Sequence, residues 1–222
     1  ATLRCIFGAA VDWRYLRESP CLKLRLPPGR GPERAPVLEP IQVGQLVEKL
    51  KEPYRTMVML AALTGMRESE LFGLKWTDFD WASGVVLIQR RMYRRKIGET
   101  KTPQSRREIP LDARVAAAVR ALPRGAGEFL FVGPKGGFLK PDEMLSRGVR
   151  SAAKELGLPW ITWRTFRRTA ESAMHNQGVP LKAQQAMLGH VNPNTTLIYA
   201  EAGQSGKRLA VDVLGEVMFP KL

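Results

Sequence analysis

Between positions 27 and 40 the chain carries Pro27, Pro28, Pro32, Pro36 and Pro40, with Gly29 and Gly31 among them. Proline lacks the amide hydrogen a helix needs, and its ring clashes with the preceding turn, so no helix runs through such a stretch. The combination with glycine reads as an extended linker over 27–36. The chain is thereby divided, and residues 37–222 must build the main domain on their own. Hydrophobic residues make up 44% of the 222 positions, enough for a packed core in a domain of that length.

The part before the linker opens inside a helical pattern. Leu3, Ile6, Phe7, Ala10 and Val11 fall on one face. A lone amphipathic helix cannot bury its own stripe. Two partners are open to it: a preceding domain, of which residues 1–26 would be the end, or the main domain itself.

Beyond Val37 the apolar periodicity predicts helices over 41–50, from Pro53 to Leu63 with Gly65 closing the turn, and over 67–74. Strand residues follow at Val85, Val86, Leu87 and Ile88 and continue through Met92 and Tyr93, with Gly98 expected to turn a hairpin. Arg107, Ile109 and Leu111 share a strand face. Helices resume over 112–122, 142–156, 165–177, 181–188 and 194–201, and an amphipathic segment spans 207–219. The expected fold class is mainly α with a small antiparallel β-sheet, an α+β domain. The C-terminal Leu209, Val211, Val213, Leu214, Val217 and Phe219 suit docking either on a neighbouring subunit or on the same domain.

Composition removes several classes. The longest strictly apolar run, residues 57–63, is far short of the roughly 20 residues that span a membrane. The opening residues carry no basic–apolar–small secretory pattern. Cys5 and Cys21 cannot build a disulfide framework, and with only His175 and His190 no structural zinc site is expected. Charge is more telling. Lys plus Arg is 35 against 21 Asp plus Glu, a formal net charge of +14. Such an excess points to a polyanion. It is also clustered: Arg90, Arg91, Arg94, Arg95, Lys96, Lys101, Arg106 and Arg107 lie in a stretch whose only acid is Glu99.

Four segments carry candidate chemistry. In Leu63-Thr64-Gly65-Met66-Arg67-Glu68-Ser69-Glu70-Leu71, a glycine ends one helix and an arginine begins the next. Glu70, one turn on, can pair with Arg67 or with the backbone. Taken alone, this is equally an ordinary surface ion pair. In the segment 100–111, Lys101 follows a hairpin, and Ser105, Arg106 and Arg107 offer donors to phosphate, or simply a solvated basic hairpin.

In Thr162-Trp163-Arg164-Thr165-Phe166-Arg167-Arg168-Thr169, Arg164 and Arg167 are one helical turn apart. Two guanidinium groups side by side repel unless an anion lies between them. Arginines are also poorly placed at the positive end of a helix dipole, which favours a functional reading. In the last segment, Leu188-Gly189-His190 ends a helix, Asn194 or Thr195 can cap the next, and Tyr199 comes nine positions after His190.

Together the four segments resemble the tyrosine recombinases, also called the phage integrase family, over about residues 37–202, with the motifs in the family's order and the family's His-to-Tyr spacing. The resemblance implies the recombinase catalytic-domain fold, with the opening helix as the end of a core-binding domain. It implies that Arg67 and Arg167 are the two catalytic arginines, Lys101 the hairpin lysine, His190 the histidine of the Leu-Gly-His motif and Tyr199 the nucleophile. Glu70 matches the acid that supports the first arginine.

One position departs. Arg164 stands where the family commonly has His or Lys, and Arg168 where it often has His. The expected catalytic set is thus Arg67, Lys101, Arg164, Arg167, His190 and Tyr199. The expected DNA contacts are Arg90, Arg91, Arg94, Arg95, Ser105, Arg106, Arg107 and Arg168.

The implied reaction is transesterification. The tyrosine oxygen attacks a DNA phosphorus to give a 3′-phosphotyrosine and a free 5′-hydroxyl, and the hydroxyl of a partner strand reverses the step. Bond energy stays in the covalent link, so no ATP, metal or other cofactor is implied. Arginine donors take over the charge on the non-bridging oxygens. Lys101 supplies the leaving oxygen's proton. An arginine at 164 is always protonated and cannot accept the tyrosine proton, so water, His190 or the phosphate is left for that role.

The partners implied are double-stranded DNA and three further copies of the chain, a homotetramer on two DNA sites, in the manner of a prophage or genomic-island integrase. Two alternatives share the residues: a type IB topoisomerase-like enzyme, and a DNA-binding relic in which Arg164 marks lost activity.

Overall fold

A computed structural model describes residues 2–22, 24, 36–94, 96–99, 106–125, 127–133, 136–189 and 204–220. It falls into two compact units, Ala1–Pro36 and Val37–Leu222. The first holds helix α1 (Thr2–Asp12), none of whose residues is buried; Leu3 and Ile6 of its apolar stripe are exposed.

The second unit is built around α3 (Tyr54–Thr64). Every residue from Thr56 to Thr64 is buried. A helix that is apolar all round has no solvent face to offer, so the apolar run 57–63 becomes the central element of the domain. Around it pack α2 (Pro40–Lys49), α5 (Ala113–Ala121), α8 (Trp163–Asn176) and the last helix, α10 (Gln204–Met218). Each turns one stripe inward. Val43, Leu46 and Val47 do so on α2, and Trp163, Phe166, Ala170, Ala173 and Met174 on α8. Phe72 meets Trp163 edge to face at 5.5 Å between ring centroids.

A helical stretch runs from α6 (Pro141–Met144) through a π-helical turn (Leu145–Val149) into α7 (Arg150–Glu155). Proline at the first position of α6 starts it one residue earlier than the sequence pattern suggested. Helix α8 likewise starts at Trp163, two residues early. Thr162 and Thr165 form a reciprocal capping box that closes its first turn.

The β structure is small and antiparallel, so the domain is mainly helical with minor sheets, as its sequence implied. Strands β1 (Phe79–Asp80), β2 (Val85–Ile88) and β5 (Arg107–Pro110) form one sheet in the order β1-β2-β5, with Val86 opposite Ile109 and Ile88 opposite Arg107. Strands β3 (Arg90–Tyr93) and β4 (Lys96–Glu99) form a separate two-stranded hairpin. Here the sequence expectation fails. Gly98 does not turn the hairpin; it pairs with Arg91 inside it. The connection lies between Tyr93 and Lys96, and Arg94 takes up the left-handed conformation (φ 49°) that a two-residue hairpin turn demands.

Helix α10 settles the choice left open for the C-terminal apolar residues. Ala210, Val211, Leu214, Met218 and the following Phe219 are buried against the same domain, on α9 (Leu181–Leu188), α8, β5, α2 and α3. Arg114, held by Asp112, donates to the Phe219 carbonyl and fixes the end of this segment. Leu209 stays half-exposed. The helix expected over 194–201 lies outside the described residues. Among them, no helix is long and apolar enough to cross a membrane.

Two helices end in left-handed glycines, the first packed against the last residue of the second helix. Gly65 ends α3 with φ 60°, and Gly189 ends α9 with φ 62°. A Cβ on Gly65 would sit 2.4 Å from Leu188 Cδ2 and 3.4 Å from the Ala170 Cβ. Gly65→Ala is therefore expected to cost about 2–4 kcal/mol, the sum of left-handed strain and overpacking. Urea denaturation checks this: the midpoint falls while the slope stays unchanged.

Candidate active site

The site forms where α3 and α9 end. The last carbonyls of an α-helix have no amide donors within the helix, and they carry the negative end of its dipole. At the end of α9 three arginines from three different elements supply the missing donors. Arg107 Nε, from β5, donates to the Met187 carbonyl at 2.7 Å. Arg167 Nη2, from α8, donates to the Leu188 carbonyl at 2.7 Å. Arg67 Nη2, from the turn before α4 (Glu68–Leu71), donates to the Gly189 carbonyl at 3.2 Å. Arg167 Nη1 also reaches the Gly65 carbonyl at 2.7 Å, so one guanidinium closes both helix ends.

Each arginine arrives for a local reason. Gly65 reverses the chain after α3, and Arg67 follows in an extended conformation as the N-cap of α4. Arg167 is one turn into α8, on the side of Ala170 and Phe166 rather than the solvent side. Arg107 follows the alternation of β5: Arg107 and Ile109 point inward, Glu108 outward.

Glu70 organises the cluster. Its Oε2 accepts from the Arg67 backbone amide at 2.9 Å and from Arg107 Nη2 at 2.8 Å. Its Oε1 accepts from Arg67 Nη1 at 2.8 Å and from Arg107 Nη1 at 3.3 Å. The Glu70 and Arg107 side chains are 3% and 4% exposed, so this pair is shielded from water. Burial pushes the Glu70 carboxyl up, but the hydrogen bond and charge of Arg107, with the two donors of Arg67, outweigh it and hold the group below its ordinary value of 4.5.

Three guanidinium groups thus gather around Glu70. Burial first, then the charges of Arg67 and Arg107, bring Arg167 down from its ordinary value to about 10, against the smaller opposite pull of Glu70 and Glu171. A site that strains to keep its cations charged is ready to take an anion. Arg67 remains 41% exposed, so the anion can be reached from solvent.

Arg164 occupies the second position of α8 and is exposed. Its charge is felt at Glu68, whose carboxyl is pushed up by burial, then by Asp142, and drawn down by Arg164. Arg168 is half-buried on the next position after Arg167. Lys101, His190 and Tyr199 lie outside the described residues. Gly189, the residue before His190, is part of the arginine cluster.

The expected DNA contacts divide. Arg91, Arg94 and Arg106 are exposed, the first two on the β3–β4 hairpin. Arg95 and Ser105 lie outside the described residues. Arg90 and Arg107 are not surface donors. Arg90 forms an ion pair with Asp78, a buried carboxylate that also accepts from Gln89 Nε2 at 2.8 Å and the Lys75 amide at 2.7 Å. Arg107 points into the core because it shares its strand face with Ile109 and Leu111. That face was readable in the sequence; the partner waiting there, Glu70, was not. Among the described residues no group of His, Cys, Asp and Glu could hold a metal ion.

With this geometry in hand, one comparison decides the family. The sequence model described as the phage integrase family matches residues 36–205. The chain belongs to the phage integrase family, the tyrosine recombinases.

Among proteins of this family, the chain is similar to a "Tyrosine recombinase XerC-like" protein of Caldanaerobacter subterraneus subsp. tengcongensis. The two are 26% identical over 97% of this chain and 64% of that protein. A "Putative integrase/recombinase y4rA" of Sinorhizobium fredii is 32% identical over 72% of this chain and 39% of its own length. The chain therefore spans less than two thirds of the length of these recombinase relatives. The integrase of the Tn1549 transposon, solved with transposon right-end DNA, superimposes with a TM-score of 0.69 at 24% identity, covering 94% of this chain and 75% of that one. At that identity the likeness establishes the recombinase catalytic fold.

The Glu70 cluster makes a pH-dependent contribution to stability. A carboxyl held below 4.5 in the folded state stabilises fully above that value, and its contribution is lost as pH falls through the lower, folded value. Glu70→Gln leaves the buried Arg107 guanidinium, and the part-exposed Arg67 beside it, without their carboxylate and is expected to cost about 3–5 kcal/mol at neutral pH. Urea denaturation of the wild type and the variant from pH 7 down to 3 checks this: the gap closes only below 4.5.

Proposed function

We propose that this chain is the catalytic part of a site-specific DNA recombinase that cleaves and rejoins DNA through a 3′-phosphotyrosine. The observation that carries the reading is the meeting of Arg67 and Arg167 at the carbonyls of Leu188 and Gly189, directly before His190, with more positive charge than Glu70 balances. Each guanidinium has five N–H donors and uses only some of them on the protein. The others can hold the two non-bridging oxygens of a scissile phosphate. These donors are fixed before DNA arrives, so they need no reorganisation as charge gathers on the phosphorane.

The reaction then runs on the chain's own side chains. Tyr199 attacks phosphorus and loses its proton to water, His190 or the phosphate. Lys101 protonates the departing 5′-oxygen, and His190 adds a hydrogen bond to a non-bridging oxygen. Arg164, one turn before Arg167 and exposed to solvent, serves as a further phosphate clamp. The exposed Arg91, Arg94 and Arg106, with Arg95, Ser105 and Arg168, track the DNA backbone. Recombination joins two sites, so the working form is a homotetramer on two duplexes. Helix α1, with its exposed Leu3 and Ile6, is assigned to the end of a core-binding domain. The Tn1549 integrase, solved on transposon-end DNA, supports the choice of partner.

Two experiments test the reading on a nicked duplex of the recombination site, which traps the covalent intermediate. Tyr199→Phe removes only the attacking oxygen, so DNA binding persists and the SDS-resistant adduct disappears; an adduct formed by the Phe variant would assign the nucleophile elsewhere.

The second experiment reads the unusual Arg164. Arg164→Ala lowers the single-turnover cleavage rate by roughly 10²–10³ if this arginine holds the phosphate. Arg164→Lys keeps part of the rate, because the charge stays and the planar fork goes. Arg164→His stays active and gains a titration near neutral pH. Equal rates for wild type and Arg164→Ala would turn this arginine away from the phosphate.

A further inference from the structure

Arg107 takes no part in the roles assigned above, yet it is the most buried cation of the site. We propose that Arg107 is a positioning residue for DNA cleavage: it locks the Glu70 carboxylate to the end of α9 and so fixes both Arg67 and the peptide that leads into His190. The inference rests on the recombinase reading of this site and deepens it.

The geometry is that of a three-way tie. Two N–H groups of the guanidinium fork meet the two Glu70 oxygens, Nη2 at 2.8 Å and Nη1 at 3.3 Å. The third, Nε–H, points to the Met187 carbonyl at 2.7 Å. One rigid, planar group therefore fixes β5, α4 and α9 relative to one another. Glu70 passes the constraint on, because the same two oxygens hold the backbone amide and the guanidinium of Arg67. The position of the first catalytic arginine is thus set through Glu70 by Arg107.

A second, independent contact brings Arg107 to the other side of the site. A Cβ built on Gly189 would lie 2.9 Å from Arg107 Nη1 and 3.2 Å from its Cδ and Cζ. The guanidinium therefore packs directly on the backbone of Gly189. Its left-handed conformation (φ 62°) turns the chain from α9 toward His190. Glycine at this position meets two needs at once: it permits the turn, and it leaves room for Arg107.

Charge and shape argue for geometry rather than stability. An ion pair this far from water pays a desolvation cost that cancels much of its attraction, and apolar replacements are often as stable. What an apolar pair cannot do is fix the azimuth of a carboxylate that must orient a third group. Lysine cannot do it either, because a single ammonium on a flexible stem cannot hold the fork and the Nε contact together.

The test uses the full-length protein with Arg107→Lys, Arg107→Met and Arg107→Ala, on the nicked duplex of the recombination site. Three quantities are measured: urea midpoint, DNA affinity, and the adduct rate at saturating DNA. DNA affinity is expected to be unchanged. The adduct rate of Arg107→Met at saturating DNA is expected to fall on the order of 10²-fold, the usual effect of misplacing a catalytic group by about 1 Å. Arg107→Lys, which keeps charge and most of the volume, recovers part of that rate.

Folded Lys and Met variants that cleave at the wild-type rate would overturn the proposal and leave Arg107 as a core ion pair. A variant that loses rate only through weaker DNA binding would overturn it as well, by making Arg107 a contact residue. A second arm needs no DNA. If the tie exists, Gly189→Ala destabilises the Arg107→Ala protein less than the wild type, and Glu70→Gln and Arg107→Met are strongly non-additive in urea midpoint. Additive effects would overturn the tie. A wild-type protein that forms no adduct would instead remove the recombinase reading, and the urea arm would still decide whether Arg107 bridges Glu70 and α9.

Discussion

The carbonyls of Met187, Leu188 and Gly189 end a helix with no intrahelical donors left for them, and three arginines from β5, α8 and the turn before α4 converge to supply those donors. Most of the site follows from this requirement. The helix end draws the guanidinium groups together, against their mutual repulsion, because each carbonyl carries part of the negative end of the helix dipole. Glu70 then relieves the repulsion partly. What remains is a cluster with surplus positive charge, held by backbone carbonyls of α9 and the glycine that follows it.

On the proposed reading, this arrangement is how the chain would hold a phosphodiester. A magnesium site needs several carboxylate oxygens around one cation. Here the polarity is reversed: several cations surround the place where an anion would bind, and a carboxylate holds the cations. The depressed value of Arg167, about 10, reflects the cost of burying a cation first and of setting it beside Arg67 and Arg107 second. A bound phosphate would remove that cost, so binding and electrostatic relief act together. Arg164 adds a further cation on the solvent side of the same helix, and its departure from the family's usual His or Lys leaves the charge in place while removing a proton acceptor.

The basic residues between Arg90 and Arg107 do not act as one patch. Asp78 and Glu70 are both buried carboxylates, and each takes one of these arginines inward: Arg90 at the base of the β3–β4 hairpin, Arg107 beneath the site. The arginines left outside, Arg91, Arg94 and Arg106, are those whose strand or turn position faces solvent. The same run of charge thus serves two purposes, with the inward members setting the geometry that the outward members need.

The local features were legible in the sequence because they depend on short-range chemistry. Gly65 and Gly189 mark helix ends, Arg67 stands three residues before Glu70, and Arg164 and Arg167 stand one helical turn apart. Each is fixed by neighbours within a turn or two. The apolar periodicity similarly foretold a helix through the run 57–63. The misreadings occur where partners are distant.

Gly98 was an obvious turn residue, yet the register of β3 with β4 placed the turn at Arg94. The basic run makes Arg90 and Arg107 look like surface donors, although Arg107 shares its strand face with Ile109. An arginine on an inward face is tolerable only if a carboxylate waits there, and Glu70 is 37 positions away along the chain. The C-terminal apolar residues fitted two docking places equally well, until the groove formed by α9, α8 and β5 accepted them. The sequence by itself determined which family the chain resembles and where its helices stop. Only the tertiary structure decided which arginines stay exposed and which are drawn inward, because the partner of a buried charge is chosen by the packing of distant segments and not by its neighbours in the chain.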